Sequence, residues 1–316
     1  MGISSARYHA HLGEWLGKFS NYKRKWPKHL FHHANIEAAI NILKSGNLLS
    51  RDDALAGAVL RQDIAPADIV QTRDAAHQFA RLYFRPRTPT QYHIEGIRKP
   101  ADYFMGRHGG LLVMLAFSSE RVLTMEGTRF STCNMQSHLS QVLDGDGGFD
   151  QLDFDGIFHD EAYPSDDQKK KRCAEVLAQS PLDVASTLKA IIVRTDADVA
   201  TVKHLLVREG LPHFVPKVKK SQGTGVFFHK YTAVQYVDSA PGRISFKLLG
   251  TMSTGDIHTQ MSVFDDANAR SYLMVDQHLR AHQGYFTEHM LPTGSYRVVF
   301  HLEGCFAHES VVNLSS

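Results

Sequence analysis

Residues 30–51 read LFHHANIEAAINILKSGNLLSR, and the change of period inside this stretch decides the kind of fold. Leu30-Phe31-His32 is a short apolar run of strand type. From Asn35 onward the apolar positions fall at Ile36, Ile40 and Leu43, the spacing of one helical face. The Asn35 side chain is suited to cap the helix N-terminus. Gly46 stands where a left-handed C-cap belongs. Leu48 and Leu49 resume an apolar run that closes at Ser50-Arg51.

The same reading extends in both directions. His9–Ser20 reads as a helix with Leu12, Trp15, Leu16 and Phe19 on one face, and the basic run Lys23-Arg24-Lys25 follows it. Residues 52–76 read as loop-rich. Leu82-Tyr83-Phe84 reads as a strand before the stiff turn Arg85-Pro86-Arg87-Thr88-Pro89. Residues 110–117 are almost continuously apolar, the pattern of a buried strand. Phe130 is expected in a loop and residues 144–148 in a turn. Leu188–Val193 and Gly225–Phe228 read as strands, and Val199–Arg208 as a helix. Beyond Tyr231, strand-length runs recur at short spacing with turn signals between them. That texture predicts a small immunoglobulin-like β-sandwich. The expected fold class is α+β, with a basic N-terminal helix at 1–27, a main domain at 28–230 and a β-sandwich domain at 231–316.

Composition narrows the class. The chain has 316 residues, 43% hydrophobic and 22% charged, ordinary values for a soluble globular protein. No apolar run is long enough for a membrane-spanning helix, and the first residues lack the apolar core of a secretory signal. Cys133, Cys173 and Cys305 are far apart, which argues against a disulfide framework or a zinc site and fits a reducing, cytoplasmic setting. The 19 histidines are scattered without metal-ligand spacing, so no metal is expected. The net charge of +2 conceals a division. Bases prevail in residues 1–30 and 81–107, and acids in 231–316.

Taken singly, the polar residues have plain readings. His32-His33 is a packed or surface pair. Arg51 is a partner for a helix C-terminal dipole, and Glu175 is a solvated ion-pair residue beside Lys169-Lys170-Lys171-Arg172. RLYFRPRTPTQY is a core strand plus a rigid turn. As an ordered set, they resemble the DarT-type ADP-ribosyltransferases. LFHHANIEAAINILKSGNLLSR is similar to the opening of that family. ARLYFRPRTPTQY (80–92) looks like its aromatic strand and Pro-Arg-Thr-Pro turn. KKKRCAEVL (169–177) looks like the segment that carries its glutamate. Phe130-Ser131-Thr132-Cys133-Asn134 is a weaker match to its Phe-Thr-Asp-Gly-His loop. The resemblance covers residues 28–230.

The resemblance implies an ADP-ribosyltransferase-like split β-core and NAD as co-substrate. It implies Glu175 and Arg51 as catalytic residues and His32, Tyr83 and Phe84 at the nicotinamide end of NAD. Asn134 falls where members that modify thymidine often carry a histidine, which leaves the target base open. Such chemistry suits the residue types. Loss of nicotinamide builds positive charge on the ribose, which a carboxylate stabilises. The same carboxylate can take a proton from the attacking base. An arginine fork pairs with phosphate oxygens. No GxGxxG or GxxxxGK[ST] is present, which disfavours Rossmann and P-loop enzymes.

The basic stretches then acquire a use. Arg81, Arg85, Arg87, Arg98 and Arg107 interleave with Tyr83, Phe84, Tyr92, Tyr103 and Phe104, as a groove for single-stranded nucleic acid requires. Arg87, Tyr92, Lys169, Arg172 and Asn134 are the candidate contacts. The expected activity is transfer of ADP-ribose to a base in single-stranded DNA, or alternatively RNA, by a toxin of a toxin–antitoxin or anti-phage system. The resemblance implies a macrodomain antitoxin as partner. The acidic tail suggests contacts with an antitoxin, a chaperone or a phage protein. Two alternatives stand: a transferase acting on protein or water, and an inactive binding module.

Overall fold

The computed structural model describes residues 2–57, 77–103, 108–135, 137–221, 225–250, 254–265, 271–287 and 290–315. The chain divides into two compact units. The first comprises residues 1–92, 114–192 and 222–227; the second comprises 93–113, 193–221 and 228–316.

Among the described residues, nine strands build the first unit: β1 (His29–Asn35), β2 (Asn47–Leu48), β3 (Phe79–Tyr83), β4 (Leu112–Ser118), β5 (Arg129–Ser131), β6 (Val142–Asp144), β7 (Glu175–Gln179), β8 (Leu182–Asp183) and β9 (Leu188–Val193). Seven of them share one sheet in the order β9-β4-β1-β3-β7-β5-β6. β2 pairs separately with β8. The pairs β1–β3, β3–β7, β7–β5, β5–β6 and β4–β9 are all antiparallel. Every residue of β4 is buried, as its unbroken apolar run requires.

The opening stretch folds as its period dictates. Asn35 ends β1, and its Oδ1 accepts the Ala38 N–H at 2.8 Å. After α1 (Ser5–Lys18), this cap starts α2 (Ile36–Ser45). Ile36, Ala39, Ile40 and Leu43 are buried, and Gly46 closes the helix at φ 70°, where a Cβ would be strained. A third helix, α3 (Arg51–Ala56), begins what was expected to be loop; residues 58–76 lie outside the described residues. The N-terminal segment belongs to the first unit's core. His11 on α1 has its ring 4.3 Å from that of Phe154 and 5.0 Å from that of Phe149. The basic run forms a 3₁₀ turn over Asn21–Lys28 that buries Trp26 completely.

Three local expectations change. Phe130 lies in β5, where pairing with β7 leaves it 0% exposed. Gly145–Phe149 is a short helix instead of a turn. Residues 225–228 form no strand. Phe227 is nonetheless buried, so its apolar character reflects packing without a ladder.

The second unit contains α5 (Asp196–Arg208), named after α4 (Asp166–Lys171) of the first, and the strands β10 (Val218–Lys220), β11 (Ala233–Ala240), β12 (Arg243–Leu249), β13 (Asp256–Asp265), β14 (Ser271–Arg280), β15 (Gly284–Phe286), β16 (Gly294–Leu302) and β17 (Cys305–Leu314). The tail strands form two antiparallel sheets, β11-β12-β15 and β14-β13-β16-β17. Burial alternates along β12, β13 and β16. The inward residues of both sheets share one core, in which the rings of Phe246 and Phe300 stand 4.8 Å apart. Helix α5 is part of that assembly. Ala197 lies in the shared core, and Thr201 Oγ1 bonds His308 Nδ1 at 2.8 Å.

Candidate active site

The central strands β1, β3 and β7 bring the chemistry-bearing residues together. Tyr83 stands opposite Glu175 across the β3–β7 ladder, and opposite Phe31 across β1–β3. Alternation along β3 puts Arg81 and Tyr83 on one face and Leu82 on the other. Arg81 reaches Glu175 on that face and grips its carboxylate with two donors. Its Nη2 donates to Oε1 at 2.6 Å, and its Nε donates to Oε2. Glu175 itself is only 1% exposed, whereas the Arg81 side chain retains 32%. The Glu175 backbone N–H donates to Ser131 Oγ at 2.8 Å, which ties the strand start to β5.

Aromatic groups flank the pair. The His33 ring lies parallel to Tyr83 within 3°, with centroids 5.3 Å apart. His33 Nδ1 is buried with no hydrogen-bond partner. His32 bonds the Arg81 carbonyl through Nδ1 at 3.0 Å. That contact makes Nδ1 the protonated nitrogen of a neutral ring and leaves Nε2 as an acceptor. Burial lowers the pKa of both histidines, His33 to about 3 with a smaller contribution from His32, so both are neutral near pH 7. Burial, followed by the Glu175 charge, raises the Tyr83 phenol and keeps it a donor. The same two causes push the Cys173 thiol up to about 12, which removes it as a nucleophile. For Arg81, burial opposes the charge, but the Glu175 carboxylate and its hydrogen bonds outweigh that and raise the pKa.

Other expected site residues fall elsewhere. Phe84 is 3% exposed and packs edge-on against Phe154 at 5.4 Å, on the face away from Tyr83. It belongs to the aromatic core, apart from the ring pair of Tyr83 with His33. Arg51 starts α3 and so lies at a helix N-terminus, not at a C-terminus. Ser50 N–H donates to Ser180 Oγ at 2.7 Å, and Asp52 N–H donates to His77 O at 3.1 Å. Both anchors lie beyond the Phe79–Gln179 end of the β3–β7 pair, whereas Glu175 lies at the Tyr83 end. At about 3.3 Å per residue, the five steps from Glu175 to Ser180 span roughly 16 Å. The cation beside Glu175 is Arg81.

The expected nucleic-acid contacts are similarly divided. Arg85 is fully buried over the Trp26 ring and bonded to Asp160, so it is core. Arg87 also binds Asp160, at 3.0 Å, in a left-handed conformation at φ 59°. Tyr92 is 40% exposed. The Asn134 N–H donates to Lys170 O at 3.0 Å, which sets the β5 loop against α4. Lys169 is exposed and pairs with Asp166 at 2.8 Å. Arg172 is buried and donates to His159 Nδ1 at 2.6 Å and Glu161 O at 2.7 Å, so its head is committed inside the protein. Arg98 and Tyr103 belong to the second unit, and Phe104 and Arg107 lie outside the described residues. Glu175 is buried in a strand, so the plain reading of it as a solvated ion-pair residue does not hold.

Sequence reading missed Arg81, His33 and Ser131 as site residues. The signal for Arg81 was available: it stands two residues before Tyr83 on one strand. Ser131 could have been found only from the β5–β7 register.

Among the described residues, no group of three His, Cys, Asp or Glu side chains could hold a metal ion. No helix there is long and apolar enough to cross a membrane. The family model for "ssDNA thymidine ADP-ribosyltransferase, DarT" matches residues 31–224, more than half of the chain. The chain belongs to the DarT family. It is thus an NAD-dependent ADP-ribosyltransferase with NAD as its co-substrate. Among solved structures, the chain resembles DarT from Thermus sp. 2.9 in complex with NAD⁺, at 19% identity and a TM-score of 0.50, covering 64% of this chain and 98% of that one. The same protein in complex with carba-NAD⁺ matches at 17% identity and a TM-score of 0.50, with 64% and 98% covered. At that identity the likeness concerns the fold. No curated protein matches the sequence.

Proposed function

We propose that the protein transfers ADP-ribose from NAD to a base in single-stranded DNA, with Glu175 as the catalytic carboxylate. The observation that carries this reading is the placement of a buried, ionically held glutamate opposite Tyr83, beside a flat His33–Tyr83 pair. The residues suit NAD. A parallel ring pair offers a stacking face for nicotinamide. Unpartnered His33 Nδ1 and the Nε2 acceptor of His32 offer polar contacts for its amide and ribose. Glu175 faces where positive charge develops on the ribose and stabilises it. It then accepts the proton of the attacking base nitrogen.

Thymidine is the first base to test, because the family model is named for it. Asn134, on a loop against α4, is the position to vary for base choice. RNA is the second acceptor to test. A toxin role with a macrodomain antitoxin fits this family, and a cytoplasmic setting fits the free cysteines. In the tail, the first, second and fifth strands share one sheet and the fourth, third, sixth and seventh the other. That order supports an immunoglobulin-like reading of residues 231–316 after a transferase region at 28–230. Its use would be protein contact. Labelled NAD incubated with single-stranded DNA and RNA oligomers tests the proposal. Label on DNA that disappears in Glu175→Gln is the expected result. Label only on protein, or free ADP-ribose alone, would overturn it.

A further inference from the structure

We infer that Arg81 is the positioning residue of the reaction: it fixes the Glu175 carboxylate in one orientation. This rests on the reading of Glu175 given above. An ionised carboxylate offers about four lone-pair sites. Arg81 occupies one on each oxygen, through Nη2 and Nε on the same guanidinium edge. A planar fork that holds both oxygens fixes the plane of the carboxylate as well as its place, which a lysine's point charge does not. Lone pairs remain on both oxygens for other partners.

The rest of the surroundings makes this contact necessary. Glu175 is almost without solvent, and a buried carboxylate needs a partner to hold it. Its other named neighbours among the described residues are uncharged. Tyr83 on β3 and Cys173 ahead of β7 are held in their neutral forms. His32 and His33 on β1 are neutral as well, and Ser131 Oγ on β5 accepts the Glu175 backbone N–H and donates to Cys133 O. Arg81 also holds β1 through its own carbonyl, which accepts from His32. One residue therefore couples the orientation of the carboxylate to that of the neighbouring imidazole.

Steady-state labelling of a single-stranded DNA oligomer by Arg81→Gln and Arg81→Lys tests this, with Glu175→Gln as control. A displacement of about 1 Å at a reacting group costs about 10²-fold in rate. Arg81→Gln should lose kcat by about that factor while KM for NAD changes little. Arg81→Lys should restore only part of the rate, because it replaces the charge without the fork. Added guanidinium ion should recover activity in Arg81→Ala. Wild-type kcat in folded Arg81→Gln would overturn the inference, as would a rise in KM alone, which would make Arg81 a binding residue. Should Arg81→Gln fail to fold, Arg81→Lys decides: full wild-type rate counts against the fork, and partial rate with unchanged KM supports it. If Glu175→Gln itself keeps full activity, the assignment of Glu175 fails, whatever Arg81 does.

Discussion

Glu175 and Glu309 are both buried and paired with arginine, and they are built for different ends. Glu309 on β17 receives Arg208 at 2.7 Å from α5 and Arg297 at 3.4 Å from β16, with His204 also at 3.4 Å. Three side chains from two elements converge on one oxygen, and the neighbouring His308 is satisfied at both nitrogens. The result is a clamp that fastens a helix to a sheet. Glu175 is held by Arg81 from the adjacent strand, which takes one position on each oxygen, and the ring of His33, whose Nδ1 has no partner, stacks on Tyr83 opposite it. Burial and an ion pair are common to both glutamates and identify neither. Spare bonding capacity near a flat aromatic pair distinguishes the one proposed here as catalytic.

Substitutions can break this contrast. Glu175→Gln should lower labelling on the order of 10²–10⁴-fold, the scale of acid–base catalysis. Its melting temperature should stay close to wild type. Glu309→Ala should do the reverse. Loss of a charged hydrogen-bond acceptor costs about 1–3 kcal/mol, and Arg208 and Arg297 stay partly hydrated, which limits the damage. Thermal melting should fall by several degrees, with kcat for DNA labelling unchanged. If kcat fell as well, the tail clamp would not be purely structural.

Tyr83→Leu sharpens the contrast on the site side. It removes the ring that stacks on His33, and an aromatic pair is worth about 0.5–1.5 kcal/mol beyond its burial. KM for NAD should rise up to about tenfold, read from initial rates at several NAD concentrations. The smallest effect concerns pH. Burial depresses both His11 and His308 to about 4, with charges from neighbouring groups adding less. A depressed histidine binds more protons unfolded than folded, so stability is full above pH 6.5 and lost as pH falls toward 4. Melting curves between pH 7 and 4 should show this loss, and His308→Gln should weaken the dependence. A variant with the wild-type slope would mean that His308 does not titrate in that window.

Much of the first unit was legible because its signals are local. The switch of period at Asn35 sets β1 and α2, and the apolar run at 112–117 sets β4. Glu175 was reached through the wording around it. Phe84 was read together with Tyr83, whereas it packs in the aromatic core. Arg81 was counted as one base among several in a groove, since nothing in its own stretch shows the carboxylate 94 positions away. Arg51 was placed by sequence order, and the hydrogen bonds that hold it at the other end of the strand pair come from Ser180 and His77. The union of α5 with the tail was the least visible feature. It depends on Thr201 meeting His308, a pairing 107 residues apart in which neither residue carries an apolar signature.

That union bears on how the protein is made. Helix α5 ends at Arg208, and β17 does not begin until Cys305. At roughly 5–20 residues per second, the ribosome needs about 5–20 s to cover the interval. During that time the helix has its caps but not the strand it packs against. The second unit can close only after the clamp on Glu309 has been translated, so its assembly waits on the last strand of the chain.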